Sequence, residues 1–140
     1  MTALPEAAKE LIRSGTLAHC ATVNPDGTPQ LSVIWVGLDG DELVSGHMGA
    51  WQKVRNIELN PRVVLSLEGD TSMDNGMQHT LLIHGTARAT PGGAAQLLYE
   101  LGKVYVGPDA EFRPSNDPDA GYILHIAVDK VGGFGPWNPR

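Results

Sequence analysis

Leu17-Ala18-His19-Cys20-Ala21-Thr22-Val23-Asn24-Pro25-Asp26-Gly27-Thr28-Pro29-Gln30-Leu31-Ser32-Val33-Ile34-Trp35-Val36-Gly37 decides the fold. Two apolar runs flank Asn24-Pro25-Asp26-Gly27, four residues that favour a tight turn and interrupt any helix. The pattern predicts a strand over 17–23, a turn, and a second strand over 30–37. Asp39-Gly40-Asp41 is a second turn signal and leads into Glu42-Leu43-Val44-Ser45-Gly46. Three strands joined by two short turns predict a meander.

On either side of this stretch the period changes. Residues 5–14 place Ala8, Leu11 and Ile12 on one face and Lys9, Glu10 and Arg13 on the other, a short amphipathic helix that Gly15 stops. Residues 51–59 carry apolar side chains at Trp51, Val54 and Ile57, again a helical period, and Asn60-Pro61 ends it. Val63-Val64-Leu65-Ser66-Leu67-Glu68 reads as a central strand, followed by a polar excursion over 69–76. A long strand is expected over 78–89, with Gly85 inside it marking a bulge or a close backbone approach. Residues 93–106 form the strongest helical pattern, 107–119 a loop, and 122–128 the last clear strand, continuing irregularly through Val131 to Phe134. Gly132, Gly133, Gly135, Pro136 and Pro139 predict an irregular tail. Six strands with interspersed helices and no βαβ alternation give an α+β fold. Its sheet is mostly antiparallel, with closure into a small barrel expected over a single domain, 1–140.

Composition excludes several classes of function. The 140 residues hold one ordinary domain, 41% hydrophobic and 19% charged. Asp+Glu 16 against Lys+Arg 10 leaves a net charge of −6, the wrong sign for a nucleic-acid or acidic-membrane surface. No apolar run approaches the ~20 residues of a membrane span, and the first residues lack a signal-peptide core. A single cysteine, Cys20, allows no intramolecular disulfide and fits a reducing compartment, so a cytoplasmic protein is expected.

The strongest local feature is Gly46-His47-Met48-Gly49-Ala50-Trp51-Gln52-Lys53-Val54-Arg55-Asn56. A glycine-bearing turn leaves a strand and opens a helix, where free N–H groups and the positive dipole end attract anions. Lys53 and Arg55 lie in the first turns, and Asn56 adds a neutral donor. Two readings stand: an anion site, or two basic residues that solubilise a short helix. The five histidines have neither helical pairing nor thiolate company, so no metal site is expected. Cys20 sits mid-strand as a small hydrophobe, the serines lack a nucleophile elbow, and no carboxylate pair is placed for acid–base work. An enzyme with this sequence therefore relies on a bound cofactor for its chemistry. Trp137, among the terminal glycines, reads either as an incidental residue of a disordered end or as an exposed ring that orders against a partner or a flat ligand.

The segment Ala21 to Val33, then Lys53-Val54-Arg55-Asn56-Ile57 with Asn60-Pro61-Arg62-Val63, then Gly85-Thr86-Ala87, resembles the split β-barrel flavin-binding superfamily typified by pyridoxamine 5′-phosphate oxidase. The short chain and the Pro29-Gln30-Leu31-Ser32 and Lys53-Val54-Arg55-Asn56 segments are most similar to its deazaflavin (coenzyme F420)-dependent reductases. The resemblance implies a homodimer with cofactor sites at the subunit interface. It implies that the strand carrying Gln30, Ser32 and Val33 lies along the tricyclic ring. The segment from Gly46 and His47 to Asn56 would hold the phosphate, with Lys53 and Arg55 as cationic contacts. Trp51 would pack on the cofactor or in the core, and Trp137 would cap the substrate side. The arginine–histidine substrate motif of a true pyridoxamine phosphate oxidase is missing from the end Gly135-Pro136-Trp137-Asn138-Pro139-Arg140.

The expected function is hydride transfer from reduced F420 to an activated double bond of a small organic acceptor, the proton coming from solvent or His47. An FMN-dependent oxidoreductase and a non-catalytic cofactor-binding dimer are the alternatives. F420 and FMN share a ribityl phosphate, so Lys53 and Arg55 do not separate them.

Overall fold

The computed structural model describes residues 2–138; Pro139 of the expected tail lies outside them. In chain order the elements are α1 (Glu6–Arg13), β1 (Ala18–Val23), β2 (Pro29–Ile34), β3 (Gly37–Asp39), β4 (Glu42–His47), α2 (Gln52–Leu59), β5 (Arg62–Ser72), β6 (Gln78–Pro91), α3 (Ala94–Tyr105) and β7 (Tyr122–Phe134). The fold is α+β. Seven strands form one sheet in the order β2-β1-β5-β6-β7-β4-β3, and every neighbouring pair is antiparallel. No helix among the described residues is long and apolar enough to cross a membrane.

The sheet has seven strands where the sequence pattern predicts six, because the run 30–37 is two strands. β2 pairs with β1, and β3 pairs with β4 at the far end of the sheet order. The expected meander therefore breaks at Trp35-Val36. Tyr105 from α3 causes the break: its hydroxyl accepts the Val36 N–H at 2.9 Å and donates to the Thr16 carbonyl at 2.9 Å. A backbone N–H satisfied by a side chain does not join a strand ladder.

Alternation on the strands supplies the core. Val63, Leu65 and Leu67 of β5, Leu81 and Ile83 of β6, and Leu124, Ile126 and Val128 of β7 are all buried and point to one face. Ala8 and Ile12 of α1 and Ala18 and Cys20 of β1 join them. Both faces of β4 are covered from Leu43 to His47, because α3 packs on its outer side. Gly46 permits that contact: a Cβ there would lie 3.0 Å from Leu98 Cγ and 3.1 Å from the Ala94 carbonyl.

Gly85 marks the bulge expected of it. The β6–β7 register shifts between His84 and Gly85, and a Cβ at Gly85 would stand 2.7 Å from both the Ala127 carbonyl and Ile126 Cγ2. Two irregular stretches are more regular than expected. The polar excursion 69–76 is the end of a long β5–β6 hairpin, since β5 runs to Ser72 and pairs there with Gln78. The irregular continuation expected through Val131 to Phe134 is part of β7, and Phe134 pairs with Thr80. Trp137 is not an exposed ring: it is only 8% exposed, donates its indole N–H to the Thr80 carbonyl at 3.1 Å and meets His79 edge-on.

Candidate functional site

β4 ends at His47, and a turn over 48–51 delivers the chain to α2, the strand–turn–helix arrangement expected from Gly46 to Asn56. What fixes α2 on the sheet is Asn56. Its side chain is fully buried, donating to Thr22 Oγ1 at 3.0 Å and to Asn24 Oδ1 at 2.9 Å, and accepting from Gln52 Nε2 at 2.7 Å. Thr22 in turn donates to Gln30 Oε1 at 2.9 Å. Asn56 and Gln30 thus belong to a network that locks the β1–β2 turn to the helix.

Anchored in this way, the first turn of α2 sets Lys53 at the edge of a cleft of about 330 Å³. Of the nine cofactor-binding candidates, Val33, Gly46, His47, Trp51 and Lys53 line this one cleft. Ile34, Trp35, Met48, Leu98 and Phe112 complete the wall and were not singled out in the sequence. Val33 and Trp51 are 52% and 55% exposed, large apolar groups open to a ligand. The Trp51 indole lies over Gly49, where a Cβ would come within 2.9 Å of the ring.

Lys53 and His47 carry the electrostatics. Among the described residues the ion pairs are Lys9–Asp41, Arg13–Glu6 and Arg88–Glu42, and none includes Lys53. Burial lowers the Lys53 pKa from its usual value, so its ammonium is partly desolvated without a carboxylate to offset the cost. His47 is buried with Nε2 2.7 Å from Ser45 Oγ, and its pKa falls to about 4 through burial first and the Lys53 charge second. It is a neutral imidazole at neutral pH. Burial pushes the Cys20 thiol up to about 11, in keeping with a small inert core residue.

The remaining candidates lie elsewhere. Arg55 is exposed and folds back, donating to the Ala50 carbonyl at 3.1 Å and Gln52 Oε1 at 2.7 Å, which braces the turn before α2. Ser32 pairs across the ladder with Cys20 and therefore faces the opposite side of β2 from Val33. Its hydroxyl oxygen is buried without a hydrogen-bond partner among the described residues. Trp137 lines a different and larger cleft of about 670 Å³ between α1 and the β5–β6 hairpin. Glu10, Glu68 and Asp70 line that cleft as well, the wrong charge for a phosphate.

A cation in need of a counter-charge, beside aromatic and aliphatic walls and a neutral imidazole, suits a planar ligand with an anionic arm. Comparison with known proteins identifies relatives of the chain. Residues 4–132 match the family model described as "Pyridoxamine 5'-phosphate oxidase". A solved structure of an F420 reductase is 29% identical and superposes with a TM-score of 0.73, covering 92% of this chain and 98% of its own. A 5a,11a-dehydrotetracycline/5a,11a-dehydrooxytetracycline reductase of Streptomyces rimosus subsp. rimosus is 28% identical over 99 residues, 66% of this chain and 70% of its own. HupZ of Group A Streptococcus, 18% identical, shares the fold with a TM-score of 0.65 and 98% coverage of both chains.

Proposed function

The chain belongs to the pyridoxamine 5′-phosphate oxidase family, and from that membership we propose that it is an oxidoreductase using the deazaflavin F420 to reduce a small, largely apolar acceptor. The observation that carries the reading is Lys53, a partly desolvated ammonium without a carboxylate partner among the described residues, on the rim of an aromatic cleft. A phosphate is the counter-charge that such a group at a helix start takes up. The name of one relative, an F420 reductase, favours a deazaflavin over FMN, and that of a second, a dehydrotetracycline reductase, favours a reductase.

When bound, the reduced deazaflavin supplies a hydride to an activated double bond. The chain's own residues bind, orient and keep water out. Lys53 holds the anionic arm, while Val33 and Trp51 give the ring system apolar walls. His47, neutral and held by Ser45, adds no charge beside Lys53, and solvent supplies the proton that completes the reduction. The working form is a homodimer: Leu31, 66% exposed, stands with Val33 on the edge strand β2, an apolar surface for a second copy.

Fluorescence titration with F420 and, separately, with FMN tests the reading. Selective deazaflavin binding is expected. Lys53→Ala should weaken it by about 5- to 150-fold, the equivalent of about 1–3 kcal/mol for a charged hydrogen bond. Preference for FMN would move the site to the flavin branch, binding of neither would leave the family fold without this chemistry, and unchanged affinity in Lys53→Ala would remove Lys53 from the site.

A further inference from the structure

The loop between α3 and β7 contributes one residue to the cleft, Phe112, and is tied to α3 on both sides of it. Tyr99 of α3 lies between two cations, with Lys103 Nζ 4.6 Å and the Arg113 guanidinium 4.3 Å from the ring centroid. Lys103 also donates to the Ala110 carbonyl at 3.1 Å, and Arg113 Nη1 donates to Gln96 Oε1 at 3.3 Å. Ala110 and Arg113 are therefore both anchored, and Phe112 is carried between them. Gly102 admits the close approach, because a Cβ there would lie 3.3 Å from Phe112 Cβ.

So held, the Phe112 ring meets Trp35 edge-on, centroids 5.7 Å apart, and Trp35 stacks on Tyr105 at 5.2 Å with 8° between planes. Phe112 stays 45% exposed. Packed along one edge on Trp35 and Gly102 and held by the anchors at Ala110 and Arg113, Phe112 leaves the rest of its ring open at the mouth of the cleft. Its neighbours there, Trp35 and Leu98, carry no charge, so this part of the cleft takes the uncharged reactant while Lys53 takes the anion.

Resting on the reductase reading of the cleft, we propose that Phe112 is a specificity-determining residue: it walls the acceptor side and restricts the acceptor to slim, planar, uncharged molecules. Tyr99, Lys103 and Arg113 are its positioning residues.

The test compares wild type with Phe112→Ala, Arg113→Ala and Arg113→Lys, using reduced F420 and two uncharged enones, cyclohexenone and a bulky tricyclic enone. Phe112→Ala should raise the bulky-to-slim ratio of kcat/KM by about tenfold, chiefly through KM, the scale on which an apolar pocket discriminates by size. Binding of the bulky enone to protein loaded with oxidised F420, read from cofactor fluorescence, should tighten in parallel. F420 affinity itself should stay within about twofold. Arg113→Ala should move the ratio in the same direction and Arg113→Lys, which keeps a cation over Tyr99, should restore it. A ratio unchanged in both Phe112→Ala and Arg113→Ala, in protein that binds F420, would overturn this proposal alone. Wild-type protein that binds no F420 would overturn the reductase reading and this proposal with it.

Discussion

Replacing Asn56 with Ala separates a residue that holds the site together from one that touches its ligand. Asn56 makes three hydrogen bonds from a fully buried position, to Thr22, Asn24 and Gln52. Truncation frees Asn24 and Gln52, which reach solvent and recover partners there. Thr22 is buried and keeps only its donation to Gln30, so its hydroxyl oxygen loses the incoming N–H. A net hydrogen bond of about 1 kcal/mol together with an orphaned buried acceptor at about 1–3 kcal/mol gives a loss of about 2–4 kcal/mol. At about 3–4 °C per kcal/mol for a chain of this length, the thermal midpoint should fall by about 6–16 °C. Circular dichroism melts of the two proteins measure it. F420 titration well below both midpoints should show a smaller loss of affinity than Lys53→Ala gives, arising from the loosened seat of Lys53, since no Asn56 donor is left over for a ligand. A midpoint lowered by less than about 2 °C, joined to a large loss of F420 affinity, would refute the reasoning and return Asn56 to the ligand contacts.

Two further outcomes follow from the same geometry. Gly85→Ala must displace the Ala127 carbonyl or Ile126, each 2.7 Å from the new Cβ, and should lower stability by about 1–3 kcal/mol in urea titration; an unmoved midpoint would mean the bulge has room to spare. His47 bears on pH dependence. Its folded pKa of about 4 lies below the usual 6.5, so its contribution is complete above pH 6.5 and is lost as pH falls towards 4. The full loss is equivalent to about 3 kcal/mol. His47→Gln should flatten the stability profile between those limits, and an unchanged slope would show that another group titrates there.

The elements that local chemistry determines were legible in the sequence. The turn at Asn24 to Gly27 forms as expected, with Asp26 Oδ1 accepting from both the Thr28 N–H and its hydroxyl and Gly27 at φ 86°. Gly85 marked its own bulge. The position of Lys53 at the start of α2 was legible because strand, turn and helix follow one another in one short segment. What failed depended on distant partners. Nothing in Ile34-Trp35-Val36-Gly37 breaks the apolar run; the break comes from Tyr105, some seventy residues later. Spacing placed Arg55 beside Lys53, yet only the fold shows its guanidinium turned back onto Ala50. Trp137 read as exposed because its cover, His79 and the Thr80 carbonyl, lies on another strand. Phe112 carried no signal at all within a polar loop, and became visible only when Gly102 and Tyr99 brought it to Trp35.

The two outermost strands of the sheet, β2 and β3, are joined by only Trp35 and Val36. One of these residues forms a wall of the cleft while the other, gripped by Tyr105, turns the chain from one edge to the other. Chain routing and cleft wall are thus merged at this corner, and a change that reshapes the wall here also disturbs the link between the two edges of the sheet. The 107–121 loop has no such double duty around Phe112. A library restricted to the residues around Phe112 would vary the cleft while sparing Pro118 and Gly121, whose carbonyls accept from Gly93 and Gly92 at the approach to α3.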